Sequence, residues 1–190
     1  MCGITGFFNP SGVDGIEAKS NIVKMRNALN HRGPDDSGEW IDGQSGIVLG
    51  HQRLSILDIS SAGHQPMKSK TGRYVMVFNG EIYNHLEIRK DLDSHTSINW
   101  NGHSDTETLL VSFDLIGIRK TLEKIVGAFA IALWDKESKV LSLARDRMGE
   151  KPLYYGWQNG VFLFGSELTA LRKHDAFEDV INRKTIPSYL

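Results

Sequence analysis

The chain opens on Met1-Cys2-Gly3-Ile4-Thr5-Gly6-Phe7-Phe8, an apolar run broken by glycines. Such a run reads as a buried strand that begins at the first residue, with Gly3 and Gly6 permitting close backbone approach. Asn9-Pro10-Ser11-Gly12 closes it with turn residues. The strand also carries the single cysteine of the chain, at position 2. One cysteine excludes internal disulfides and multi-cysteine zinc sites.

From residue 20 to residue 30 the apolar residues Ile22, Met25, Ala28 and Leu29 recur at helical spacing. Ser20 is the expected N-cap, and Gly33-Pro34 stops the helix. Short strands are expected over residues 38–41, 47–50 and 73–78. The last of these runs straight into Asn79-Gly80. An Asn-Gly pair after a strand is ordinarily a hairpin turn, yet the residues that follow lead towards a helix ending near Leu92. A second helix is expected from Ser104 or Asp105, with Glu107 in capping-box style. The second half reads as a meander, with strands over 127–134, 140–145, 153–157 and 161–164, then a helix over 166–173. The architecture this predicts is α+β, with antiparallel strands in packed sheets and helices outside.

Composition narrows the function classes. At 190 residues the chain is long enough for one domain or two small ones. Hydrophobic residues at 40% and charged residues at 24% are the ordinary globular mix, which excludes a disordered tail, a coiled coil or a collagen-like chain. Twenty-two basic residues against 23 acidic ones leave a net charge of −1, so there is no electrostatic footprint for nucleic acid or an anionic membrane. No apolar run approaches the ~20 residues that span a bilayer, and no signal peptide is visible. The expected location is the cytoplasm. The seven histidines show no metal-ligand spacing, so no metal site is expected.

Three features carry chemistry. If Met1 is removed, Cys2 bears a thiol and a free α-amine, which titrate near about 8.5 and 8. The amine can take the thiol proton, as in other nucleophiles activated by an N-terminal base. A cysteine in this place is also read as a small buried hydrophobe. Second, Asn79-Gly80 offers one amide side chain and one unhindered backbone N–H, the two donors that an oxyanion needs; the other reading is a turn. Third, Arg53, between apolar neighbours, presents a fork suited to a carboxylate, and Asp105 and Glu81 suit an α-ammonium. Taken alone, Arg53 reads as a surface ion pair and Asp105 as a helix cap.

The segments Met1-Cys2-Gly3-Ile4-Thr5-Gly6, His31-Arg32-Gly33-Pro34-Asp35, Arg53-Leu54-Ser55-Ile56, Asn79-Gly80-Glu81-Ile82-Tyr83-Asn84, Ser104-Asp105-Thr106-Glu107, Arg145 to Tyr155 and Phe164-Gly165-Ser166-Glu167-Leu168 appear in order. Together they resemble the glutaminase domain of class II glutamine amidotransferases, among the N-terminal nucleophile (Ntn) hydrolases, and within it the glutamine-hydrolysing asparagine synthetase branch. Met148 and Glu150 stand where that branch commonly has Phe and Ile. The resemblance implies a four-layer αββα sandwich of two mainly antiparallel sheets. It implies that Cys2 attacks L-glutamine to form a thioester, with Asn79 and Gly80 as the oxyanion hole. Arg53 would bind the α-carboxylate, Asp105 and Glu81 the α-ammonium, and Leu54, Ile56 and Leu57 would line the pocket. It further implies a glutaminase domain over residues 1–180, with 181–190 beginning a linker to an absent C-terminal synthetase domain. ATP and magnesium would serve only that domain, this one needing no cofactor; a homodimer is compatible with the family. Two other readings stay open at this stage, an N-terminal hydrolase acting on another amide and a catalytically silent domain used for regulation or assembly.

Overall fold

A computed structural model describes residues 1–55 and 63–180. The opening apolar run forms β1 (Gly3–Phe8), and turn residues lead to α1 (Gly15–Asn27). This helix starts five residues before the expected Ser20. The cap is Asp14, whose Oδ1 accepts the N–H groups of Ile16 and Glu17 at 2.9 and 3.1 Å. Sequence reasoning overlooked that carboxylate, a preferred first-turn acceptor. Next come β2 (Asp36–Asp42) and β3 (Ile47–Arg53), both longer than expected, then the unforeseen two-residue β4 (Met67–Lys68).

The strand expected over residues 73–78 continues through Asn79-Gly80 as β5 (Tyr74–Ile82). The pair is no turn, because β6 (Gly127–Asp135) lies beside it in register, with Asn79 opposite Ala130 and Gly80 opposite Phe129. Ladder pairing overrides a local turn preference here. The helices α2 (His85–His95), α3 (Asp105–Ile116) and α4 (Ile118–Lys124) intervene between β5 and β6. α4 was not expected; Gly117, at φ 82°, ends α3 and separates one short helix from the next. The meander closes with β7 (Val140–Arg145), β8 (Tyr154–Gln158), β9 (Val161–Gly165) and a single turn of helix, α5 (Leu168–Leu171). α5 is shorter than the expected 166–173, since Ser166 Oγ is committed to accepting the Ile4 N–H at 3.0 Å.

The strands form two antiparallel sheets, one in the order β2-β3-β1-β9-β8 and the other β4-β5-β6-β7. Three apolar clusters show how the layers stack. Ile22, Met25 and Leu29 of the α1 segment pack with Phe7, Val48 and Leu163 on one face of the first sheet. The opposite faces of the two sheets share Ile4, Leu49, Val75, Val77, Ala132, Trp134 and Phe164. Met76, Phe78, Ile131 and Leu133 then face Leu109, Leu110 and Phe113 of α3. The order is helix, sheet, sheet, helix, the expected αββα sandwich. Within the first sheet, Gly6 leaves room for its neighbours on β3 and β9, since an added Cβ would lie 2.4 Å from both the Phe164 ring and the Val48 carbonyl.

Strand periodicity decides where the site falls. Ile4 of β1, Ile47 and Leu49 of β3, and Val75 and Val77 of β5 all belong to the inter-sheet layer. Continuing each strand at a period of two places Cys2, His51, Arg53 and Asn79 in the same layer. The inter-sheet core therefore changes at one end from aliphatic to polar.

Candidate active site

At that end lies a cavity of about 130 Å³ lined by Cys2, Arg53, Leu54, Asn79, Gly80, Glu81 and Asp105 among others. These are the site residues singled out from sequence, with the exception of Ile56 and Leu57, which lie outside the described residues. Cys2 Sγ–H donates to the Leu54 carbonyl at 3.6 Å, and the Leu54 N–H points back at the sulfur at 3.4 Å. Burial pushes the Cys2 thiol up; the Leu54 hydrogen bond and the positive charges of the N-terminus and Arg53 act against it. Met1, about half exposed, is also part of the cavity wall. Its ammonium donates to the Arg32 carbonyl at 3.2 Å, and Lys151 Nζ lies 3.6 Å from its sulfur.

The two donors expected from sequence, Asn79 and the Gly80 N–H, are placed by ladder arithmetic. Phe78 N–H donates to Gln65 Oε1 at 2.7 Å, and Ile82 N–H donates to Asp105 Oδ2 at 2.9 Å. Both therefore point away from β6, and Gly80, midway between them, shares their parity. Its counterpart on β6, Phe129, spends its N–H and C=O on Asp146, at 3.1 and 2.9 Å. The Gly80 N–H thus has no ladder partner and faces the cavity. A glycine is required for the strand to lie this close to β6, since a Cβ there would meet the Ala128 carbonyl at 2.3 Å. The Asn79 side chain, 2% exposed, leaves its Nδ2 buried with no acceptor among the described residues. A buried unpaired donor of this kind costs about 1–3 kcal/mol unless something supplies an acceptor.

The two ends of the cavity differ in charge. Arg53 is buried, packed on Gly63, with Nη1 4.0 Å from Asp36 Oδ2. Opposite it, Asp105 opens α3 behind the N-cap Ser104, whose Oγ accepts the Glu107 N–H at 3.2 Å. Burial raises the Asp105 carboxyl above its ordinary value, and the charge of Glu81 adds to this. Glu81 itself is exposed at the rim.

Sequence reasoning missed several groups at this cavity. Gly63, Gln65, Phe78, Ser104, Thr106 and Lys151 also line it. Lys151 arrives on a loop built around Asp146, whose carboxylate accepts the N–H groups of Glu150 and Lys151 at 2.9 and 3.1 Å. His51 was foreseeable from the alternation Ile47-Leu49-His51-Arg53, which puts it on the face that carries Arg53. Gln65 had no such signal, because it lies on a connection outside the regular elements flanking it.

The fold belongs to a known class. The solved structure of glutamine phosphoribosylpyrophosphate amidotransferase from B. subtilis, complexed with ADP and GMP, matches over 92% of this chain and 44% of that one, with a TM-score of 0.74 and 20% identity. The structure described as the allosteric regulatory enzyme of purine biosynthesis matches over the same shares, with a TM-score of 0.75 and 20% identity. Sequence then fixes the family: residues 1–190 match its profile throughout, and the chain belongs to the glutamine amidotransferase domain family. It is 37% identical to asparagine synthetase [glutamine-hydrolyzing] 3 of Bacillus subtilis (strain 168), covering 96% of this chain and 29% of that protein. It is also 37% identical to a putative asparagine synthetase [glutamine-hydrolyzing] of Mycobacterium tuberculosis (strain CDC 1551 / Oshkosh), covering 100% of this chain and 31% of that protein. A third relative, 34% identical over 88% of this chain and 26% of its own length, is amidase chry2 of Gibberella zeae. The chain thus spans about three-tenths of the length of the asparagine synthetases it matches.

Proposed function

We propose that this domain hydrolyses L-glutamine to glutamate and ammonia through a thioester on Cys2. One observation carries the reading. The buried Asn79 Nδ2–H has no acceptor among the described residues, and the strand register turns the Gly80 N–H away from β6 on the wall of the same cavity, which holds the sole thiol. Donors held ready for an acceptor that only a substrate brings are the mark of oxyanion stabilisation.

With Met1 removed, the Cys2 α-amine takes the Sγ proton and the thiolate attacks the carboxamide carbon of glutamine. The carbonyl oxygen becomes an oxyanion held by Asn79 and Gly80. Collapse breaks the C–N bond, and the α-ammonium returns its proton to the departing ammonia. Water, deprotonated by the same amine, then cleaves the thioester. Arg53 supports the α-carboxylate of glutamine, while Asp105 and Glu81 support its α-ammonium, so the charge asymmetry of the cavity selects a free amino acid over a peptide amide. Leu54, with Ile56 and Leu57 beside it in sequence, completes the pocket.

The ammonia acceptor lies beyond this chain. The relatives' names, glutamine-hydrolysing asparagine synthetases, support a synthetase domain that makes asparagine; that this partner domain amidates aspartate with ATP and magnesium, that the enzyme is cytoplasmic and that the present domain uses no cofactor belong to the same proposal. A homodimer accords with the same reading. Among the described residues no helix is long and apolar enough to cross a membrane. The test is a coupled glutamate assay on protein whose first residue is Cys2. Glutamate and ammonia released in equal amounts support the reading, and no turnover above a Cys2→Ala control sinks it.

A further inference from the structure

The second sheet loses a strand just where it is needed most. β4 pairs with β5 only at Met67↔Met76 and Lys68↔Val75. Beyond Met76 the outer edge of β5 has no strand beside it among the described residues, and an unsupported edge is free to twist or fray. Yet the next residues on that edge carry Asn79 and Gly80.

Two side chains take the place of a strand there, His51 from the opposite sheet and Gln65 from the connection that leads into β4. His51 Nε2 lies 3.1 Å from the Phe78 carbonyl. A carbonyl only accepts, so Nε2 carries the proton and donates it, leaving Nδ1 as a bare buried atom without a partner among the described residues. The N–H of the same residue donates to Gln65 Oε1 at 2.7 Å. Gln65 is itself fixed, because its carbonyl seats on β2 so closely that a Cβ on Gly38 would lie 2.2 Å from it. His51 in turn is opposite Ile4 in the β1–β3 ladder, two residues from Cys2.

We infer that His51 and Gln65 are positioning residues for the oxyanion hole: by gripping both backbone groups of Phe78 they stand in for the absent strand and set Asn79 and Gly80 at a fixed place relative to Cys2. The path is short on each side. Phe78 precedes Asn79 directly, and one ladder step plus two residues joins His51 to the nucleophile. The Gly80 N–H is then bracketed by two held neighbours, Phe78 on Gln65 and Ile82 on Asp105, while staying unpaired itself. A neutral ring suits the task. Burial drives the His51 pKa down to about 4, so its donor state does not change across the neutral range.

This inference rests on the proposed glutaminase reading, and the experiment separates the two. His51→Leu fills the site without a donor, whereas His51→Gln keeps an N–H at a similar reach. On protein beginning at Cys2, His51→Leu should lower kcat about tenfold or more with KM for glutamine changed by less than about twofold, as expected when reacting groups are misplaced rather than removed. Alkylation of Cys2 by iodoacetamide, a displacement at a saturated carbon that forms no oxyanion, should keep its rate. His51→Gln should recover most of the lost kcat. Gln65→Met makes the same test if His51→Leu does not fold. A kcat within about twofold of the parent in the donor-less variants, or kcat and alkylation falling in parallel, overturns the assignment. So does a His51→Gln variant that behaves like His51→Leu. Should the parent protein show no glutaminase activity, the proposed function fails and the clamp is still decided by NMR. The backbone amide signals of Asn79 and Gly80 should move in His51→Leu and Gln65→Met and return in His51→Gln; signals that stay in place overturn it.

Discussion

In the proposed reaction Cys2 is a nucleophile whose base depends on a neighbour being absent. With Met1 in place its α-nitrogen is a peptide amide, which takes no proton near neutral pH, and Met1 also fills part of the cavity. Protein shown by intact mass to retain Met1 should therefore be nearly inactive in glutamate release, and trimming to Cys2 should switch it on. Equal turnover in untrimmed material would require another base. The roles of Arg53 and Asn79 separate kinetically. Arg53→Lys keeps the charge and loses the planar fork, so KM for glutamine should rise by roughly tenfold, equivalent to about 1–2 kcal/mol, with kcat little changed. Asn79→Ala should instead lower kcat by about a hundredfold or more, as loss of an oxyanion donor does. Steady-state kinetics on the two variants would refute this division if both moved the same parameter. These residues were legible because each brings a functional group that few alternatives supply. Alternation alone could place His51 on the inward face, but its task and that of Gln65 concern the backbone of Phe78, and only the packed structure reveals it.

At the scale of elements, the first turn of α3 is the most heavily supported part of the site. Arg89 of α2 donates to Thr108 Oγ1 at 2.7 Å and to the carbonyls of Gly102 and Ser104, both at 2.9 Å, with its guanidinium stacked 4.1 Å over Trp100. Glu107 answers from the other side, accepting the N–H groups of Asn101 and Gly102 at 2.8 and 2.9 Å. The pair is buried and 3.5 Å apart, and between them they hold the loop that delivers Asp105. Arg89→Met preserves bulk and removes every donor, leaving buried Glu107 with only the partly exposed Lys70, 3.9 Å away, as a cation. Urea denaturation should show a loss of about 3 kcal/mol, with KM for glutamine raised because Asp105 is no longer held. Unchanged stability would mean that the loop holds itself. The capping-box pattern of Ser104 and Glu107 was readable in the sequence, but the Glu107 carboxylate turns to the loop rather than to its own cap residue. Pattern gave the helix start and not the partner. The same limit explains β5: a turn propensity at Asn79-Gly80 is local, whereas the pairing that overrides it comes from β6, some fifty residues further along the chain.

Across the whole molecule, the two sheets meet through a core that ends in titratable groups, and this gives stability an acid dependence. His51 has an ordinary value of 6.5 and is driven to about 4 by burial, with Arg53 adding to the depression and Asp36 opposing it. Between those values the unfolded chain binds a proton that the folded chain refuses, so stability falls as pH drops through that window. The full effect is about 3 kcal/mol. Denaturation measured from pH 7 to pH 4 should show this slope in the parent and a shallower one in His51→Gln; identical slopes would assign the acid loss elsewhere. The packed sheets with helices outside were readable from the strand and helix patterns, and the αββα order was implied by the family resemblance, but the boundaries were set by ladder partners distant in sequence. One of those partnerships has a consequence in time. β1 lies between β3 and β9, so the first strand to leave the ribosome is among the last to gain both its neighbours. At about 5–20 residues per second, residues 161–165 follow it by on the order of ten seconds or more. Throughout that interval the cavity around Met1 is unfinished, and an aminopeptidase meets a bare chain end rather than a methionine tethered to Arg32. On this order of events trimming would precede closure, and in the proposed mechanism the thiol would enter its pocket already beside its base.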